Sequence, residues 1–334
     1  MMNSRLSLHA LPHLVVVIAM AAVMTSCHPP IHVIPQVKGL PKLASTHYVS
    51  YDSDKFGYRK WLSKRGDKKG SPETVIIGVH GISGYSGDYE NMGKHLMKQH
   101  QAVAFYAPET RGQGMDFDQS RRGDIRSAKE WYKDLYTFTR LIRKLHPRSK
   151  IVWFGESMGS LIVMHAYSSM PAGEVHPDGL IVSSPIVDVK SRLPAWKLMA
   201  IRVSRMLMPK LRISLESLSE GERPVVTKDD IHEKQAAKNP WYIRRYTLRL
   251  LLELGDMASD MGQKAARVQC PVLVLHGGKD IFTREASVER FYQQFPVGVD
   301  KTRKFYPGSY HLLMYDHDRD KIFRDVSSWL KKMK

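Results

Sequence analysis

Cysteine is nearly absent: the chain has two, Cys27 and Cys270, among 334 residues. That excludes a small fold stapled by several disulfides. Acid is scarce too, with 33 Asp and Glu against 51 Lys and Arg, for a formal charge of +18. Such an excess draws a protein toward anionic surfaces, nucleic acid or acidic headgroups alike, without choosing between them. A membrane-crossing run is missing at the N-terminus, where the apolar stretch Leu14 to Met24 holds 11 residues. As a helix these span about 16 Å, against a hydrocarbon core of about 30 Å. No internal repeat and no metal-ligand or phosphate-binding motif is found, so no metal and no cofactor is expected. With 43% hydrophobic residues, the chain can bury one large core, and a disordered or fibrous protein is excluded.

What is present begins with an address. Residues 1–27 combine Arg5 in a short basic start, the apolar stretch, and small polar residues ahead of Cys27, the layout of a secretory signal. The ending "MTSC" resembles a bacterial lipobox, with Met24 where that motif prefers Leu. The resemblance implies lipid attachment at Cys27; the alternative is an ordinary cleaved signal with Cys27 a bystander. His28 rather than Asp after the cysteine implies, on the same resemblance, the outer membrane of a diderm cell envelope. Residues 28–45 carry Pro29, Pro30, Pro35 and Pro41, a semi-rigid stalk of roughly 50 Å at about 3.1 Å per residue. The globular part is expected from about residue 46. Cys270 opens an apolar run and reads as a small buried hydrophobe.

From there strand-like and helix-like segments alternate. "THYVSYD" and "FGYRKWLSK" form an antiparallel hairpin pattern. "TVIIGVHG", "QAVAFYAPE", "KIVWFG" and "DGLIVSS" are apolar runs of the length of parallel strands buried on both faces. Between them, "SAKEWYKDLYTFTRLIRKLHP" repeats Trp131, Leu135, Phe138 and Ile142 at helical spacing. The alternation predicts an α/β fold, a mostly parallel doubly wound sheet, with its core in 46–185 and 269–334. Residues 186–268 lack a strong strand pattern and read as an inserted helical lid. There Trp196, Met199, Val203, Met206 and Leu207 share one face, and Lys190 to Arg212 holds seven basic residues and no acidic one. Two readings stay open for this helix: packing on the body with a solvated basic face, or contact with an anionic lipid surface.

"FGESMGS" carries G-x-S-x-G after a strand pattern and before a helical one. In a chain of this length it arises by chance about 0.1 times, from ordinary Gly and Ser frequencies. Its force comes from the partners. Asp280 follows the strand "PVLVLHGG", and His311 follows "TRKFYPG", so Ser157, Asp280 and His311 arrive in the order Ser, Asp, His, each just after a strand. Ser157 as a simple helix N-cap is the alternative; Gly155 and Gly159 argue against it, because a cap needs neither a tight turn nor close helix–strand packing. Asp188 also follows a strand and rivals Asp280 for the acid. His80 and His276 read as loop braces, and "YDHDRD" (315–320) as a helix start with a solvated face.

These segments resemble the α/β-hydrolase superfamily, and within it the monoacylglycerol lipase and lysophospholipase group. The likeness runs from about residue 70 to the end through "VHGISGYSGDYENMGKHL", "GESMGS", "NPW", "LVLHGGKD" and "YPGSYHLLMYD". It implies an α/β-hydrolase fold with a lid and a serine ester hydrolase acting through an acyl-enzyme on Ser157. His311 would serve as general base and Asp280 as its orienting acid, with the amides of Ile82 and Met158 as oxyanion donors. The chain departs from the pattern at "PETRGQG" and at Glu156, where many relatives have His. The expected partners are a lipid or ester small molecule and a membrane surface. The same triad serves short-chain carboxylesterases, thioesterases and acyltransferases, and a non-catalytic surface lipoprotein is a further alternative. Nucleic-acid binding lacks a recognition motif and fits poorly with export.

Overall fold

The computed structural model describes residues 39–63, 71–99, 102–187, 207–214, 225–227 and 239–333, together with Val203, His232 and Lys234. Cys27, the 1–27 signal, Asp188 and the helix pattern around Trp196 lie outside the described residues.

The strands are β1 (Lys42–Leu43), β2 (His47–Val49), β3 (Lys55–Leu62), β4 (Thr74–Val79), β5 (Val103–Pro108), β6 (Lys150–Glu156), β7 (Gly179–Ser183), β8 (Arg212–Ser214), β9 (Arg245–Thr247), β10 (Val272–Gly277) and β11 (Lys301–Tyr306). A polar turn, closed by the Ser50 amide donating to the Asp54 carbonyl at 2.8 Å, folds β2 back on β3 with Tyr48 opposite Phe56. Nine strands make one sheet in the order β1-β2-β3-β5-β4-β6-β7-β10-β11. The three pairings from β1 to β5 are antiparallel, and every pairing from β5 to β11 is parallel. The mostly parallel sheet is the one expected.

Among the described residues, the helices that cover it are α1 (Glu90–Lys98), α2 (Ala128–Leu145), α3 (Met158–Ser168), α4 (Leu248–Ala265), α5 (Glu285–Gln293) and α6 (Arg319–Lys332). Successive strand residues point to opposite faces, which splits the core in two. Val75, Ile77, Ile151 and Trp153 pack with α2, α3, α4 and α5, while Ile76, Phe105, Val152 and Phe154 pack with α1 and α6. The helical spacing read in α2 is the buried stripe itself: Trp131, Leu135, Phe138 and Ile142 are all in the core. Ser127 caps this helix by accepting from the Lys129 amide.

Within 186–268, two features were not foreseen. β8 and β9 pair as a separate antiparallel ribbon, Ile213 opposite Tyr246. Helix α4 buries Leu250, Met257, Met261 and Ala265 in the same core as α2 and α3, so the insertion is rooted in the body through α4. Among the described residues no helix is long and apolar enough to cross a membrane.

Candidate active site

β6 ends at Glu156 and α3 begins at Met158, so the chain reverses at Ser157 alone. The reversal holds Ser157 at φ 54°, ψ −115°, a region few non-glycine residues occupy. Its surroundings demand glycine. A Cβ on Gly155 would strike the backbone of Gly159, and one on Gly159 would strike the Val79 carbonyl at the end of β4. An N-cap serine turns its oxygen onto amides of the first helical turn. Ser157 makes no such bond; its Oγ lies 2.9 Å from His311 Nε2.

The acid and the imidazole come from neighbouring loops after β10 and β11. A Cβ on Gly277 would meet the carbonyls of Ser309 and Tyr310, so these loops touch. Asp280 Oδ2 accepts the Nδ1 proton of His311 at 2.8 Å, which leaves Nε2 free to accept from Ser157. Asp280 Oδ1 accepts from the amides of Phe282 at 2.8 Å and Thr283 at 3.3 Å. Burial by itself raises the Asp280 pKa, but the adjacent His311 and the Phe282 amide outweigh it and hold the carboxyl below its ordinary value. The Phe282 ring stands edge-on to the His311 imidazole, 4.6 Å between centroids.

Several braces escaped sequence reading. Ser184, at φ 47°, donates Oγ to the His311 carbonyl at 2.5 Å. Asp316 is buried rather than solvated. Its carboxylate accepts from the amides of Tyr310 and His317, stiffening the histidine loop; the helix start read in 315–320 is there, with α6 opening at Arg319 after Asp318, but its Tyr315–Asp316 end is buried rather than solvated. Two braces were read from the sequence: His276 donates Nε2 to the Thr283 carbonyl at 3.1 Å and His80 donates Nδ1 to the Gly81 carbonyl at 2.9 Å.

The turn expected to supply an oxyanion donor follows the end of β4. A Cβ on Gly81 would sit 3.3 Å from Ser157 Cβ and 3.9 Å from its Oγ, which brings the Gly81–Ile82 turn against the nucleophile. Met158 is the first residue of α3, a position whose amide has no intrahelical acceptor. Next to this turn lies an acid cluster. Glu109 and Glu156 are buried, and Asp88 Oδ1 accepts from the Tyr315 hydroxyl at 2.8 Å. Burial, and then the charge of Asp88, push the Glu156 carboxyl up to about 8. Burial lifts Asp88 to about 6. Glu156 Oε1 has no hydrogen-bond partner among the described residues, as expected of a carboxyl kept protonated in a dry site. Charged letters in a sequence look like surface, and nothing in their spacing gave this cluster away.

Fold and site together define an α/β hydrolase built around a serine–histidine–aspartate relay. The chain belongs to the Hydrolase_4 family, described as serine aminopeptidase, S33, whose model matches residues 70–318. It is 25% identical over 260 residues to a monoacylglycerol lipase of Mycolicibacterium smegmatis, covering 78% of this chain and 88% of that protein. It is 21% identical over 287 residues to an uncharacterized abhydrolase domain-containing protein of Dictyostelium discoideum, covering 86% of this chain but spanning only 29% of that protein's length. Among solved structures, a soluble variant of the Saccharomyces cerevisiae monoglyceride lipase in complex with a substrate analog superposes with a TM-score of 0.71 at 19% identity, over 87% of this chain and 97% of that one.

Proposed function

We propose that the chain is a serine hydrolase of carboxylic esters, with monoacylglycerols or lysophospholipids as substrates. The observation that carries the reading is the unbroken contact from Asp280 through His311 to Ser157. A serine hydroxyl is a weak nucleophile until a base removes its proton. His311 Nε2 takes that proton as Oγ attacks the ester carbonyl, and Asp280 stabilises the imidazolium that forms. The tetrahedral oxyanion meets the amides of Ile82 and Met158. His311 then protonates the departing alcohol, and water, activated by the same imidazole, releases the acid from Ser157.

Two observations support a long-chain acyl substrate. Relatives named monoacylglycerol lipase or monoglyceride lipase align along most of the chain. Apolar side chains stand exposed around the site and insertion: Ile281 and Phe282 beside Asp280, and Leu207, Met208 and Leu211 ahead of β8. With a charge of +18, such surfaces suit an anionic bilayer. Lipid attachment at Cys27 in a bacterial envelope completes the reading: an anchored enzyme working on esters at a membrane face. The test is a turnover panel of short p-nitrophenyl esters, monoacylglycerols and lysophospholipids, with and without anionic vesicles. Preference for vesicle-borne long chains is expected; faster cleavage of soluble acetate or butyrate contradicts the substrate class.

A further inference from the structure

We propose that Tyr246 is a positioning residue for the oxyanion loop, fixing the Ile82 amide through Ser83 and so tying acyl transfer to the ribbon contributed by the 186–268 insertion. The inference rests on the reading of the chain as a Ser157 ester hydrolase and adds a residue outside the triad.

Ser83 directly follows Ile82 and sits at φ 62°, a conformation serine holds only when its surroundings impose it. What imposes it is visible. Ser83 Oγ lies 2.5 Å from the Tyr246 hydroxyl and 3.2 Å from the Ile243 carbonyl, and the Tyr246 hydroxyl lies 3.0 Å from that same carbonyl. The Ser83 amide donates to Gln113 Oε1 at 3.3 Å. Two hydroxyl protons therefore serve three contacts in one half-buried knot, 163 residues apart along the chain.

Tyr246 is fully buried in β9, and β9 is itself fastened. Thr247 donates its amide to the Gly123 carbonyl at 2.9 Å, and Leu248 donates to the Leu211 carbonyl at 2.7 Å. Arg122 joins the Trp241 carbonyl to that of Gly114. Burial raises the Tyr246 phenol far above its ordinary range, so the hydroxyl remains a neutral donor throughout the working pH. The knot thus fixes the backbone one residue past the donor that the oxyanion needs. Donors of this kind act through placement: losing one outright costs about 10² to 10³ in rate, and a donor set loose forfeits part of that.

The experiment compares the wild-type full chain with Tyr246→Phe, Ser83→Ala and the double variant on a soluble p-nitrophenyl ester. Affinity for a trifluoromethyl ketone is measured as well, since its hemiketal on Ser157 needs the same amides. Each single change is expected to lower kcat by about 10-fold, with KM within about 2-fold, and to weaken the ketone by a similar factor. The double variant should be no worse than the poorer single one, because both changes untie one knot. Tyr246→Phe that keeps kcat and ketone affinity, even with a lowered thermal midpoint, overturns the inference, as do losses that simply multiply. Should Tyr246→Phe not fold, Ser83→Ala decides by the same two readouts. A wild-type chain that neither turns over esters nor binds the ketone overturns the hydrolase reading itself, and this inference with it.

Discussion

Asp280 holds His311 by one carboxylate oxygen, 2.8 Å from Nδ1, while its other oxygen is held by two backbone amides. The carboxylate cannot rotate away, and it dictates which imidazole nitrogen carries the proton. Asp280→Asn keeps the shape but offers an amide that favours the wrong tautomer. It should reduce kcat by about 10⁴-fold with the fold intact, as measured by steady-state turnover and circular dichroism. Asp188→Asn should leave kcat within a few-fold; the opposite pattern would transfer the acid role to Asp188.

Gly159→Ala is expected to be costly for a reason the hydroxyl does not share. Its Cβ would collide with the carbonyls of Val79 and His80, both backbone atoms fixed by the strand and the turn after it. Forcing α3 away from β4 should destabilise the chain by about 1 to 3 kcal/mol and pull Met158 off the oxyanion. Urea midpoint and turnover should therefore fall together.

The Glu156 carboxyl supplies a pH signature. Burial pushes it up to about 8 from an ordinary 4.5, so between those values the folded chain binds a proton that the unfolded chain has lost. Its stabilising contribution is complete below the unfolded pKa and is lost as pH rises toward 8. Glu156→Gln cannot ionise and lacks this slope. Urea unfolding at pH 5 and at pH 8 should find the wild type losing stability relative to Glu156→Gln; equal losses in both proteins would contradict the burial argument.

Arg111, within "PETRGQG", anchors the loop after β5 through ion pairs. The guanidinium is buried and grips Asp134 through two hydrogen bonds of 2.8 Å, with Asp52 and Asp54 at 2.9 and 2.5 Å. It thereby ties α2 and the turn after β2 to the loop after β5. Arg111→Met leaves Asp134 buried without its cation, held only by the Ser50 hydroxyl among the described residues, and should cost about 3 to 5 kcal/mol, with much of it recovered in Arg111→Met/Asp134→Leu. Denaturant midpoints of the single and double variants check this.

How much of this was legible in the sequence follows from physical range. Parallel strands buried on both faces read as unbroken apolar runs, so β4, β5, β6, β7 and β10 stand out, and their alternation with helical patterns indicates a mostly parallel sheet, though not its spatial order β5-β4-β6-β7-β10. Ser157, Asp280 and His311 were legible because each sits at a strand end flanked by glycines that a tight turn requires. β8 and β9, three residues each, are too short to show alternation. The contact of Tyr246 with Ser83 bridges 163 residues with no local pattern at either end. Arg111, Glu156 and Asp316 look like surface residues because only tertiary packing takes them out of water.

The most direct test of the account asks where a covalent bond forms. The purified chain is treated with a serine-directed fluorophosphonate and digested, and the modified peptide is sequenced by mass spectrometry, alongside a folded Ser157→Ala variant. The account predicts one modification, on Ser157, absent from the variant; labelling that persists in folded Ser157→Ala contradicts it.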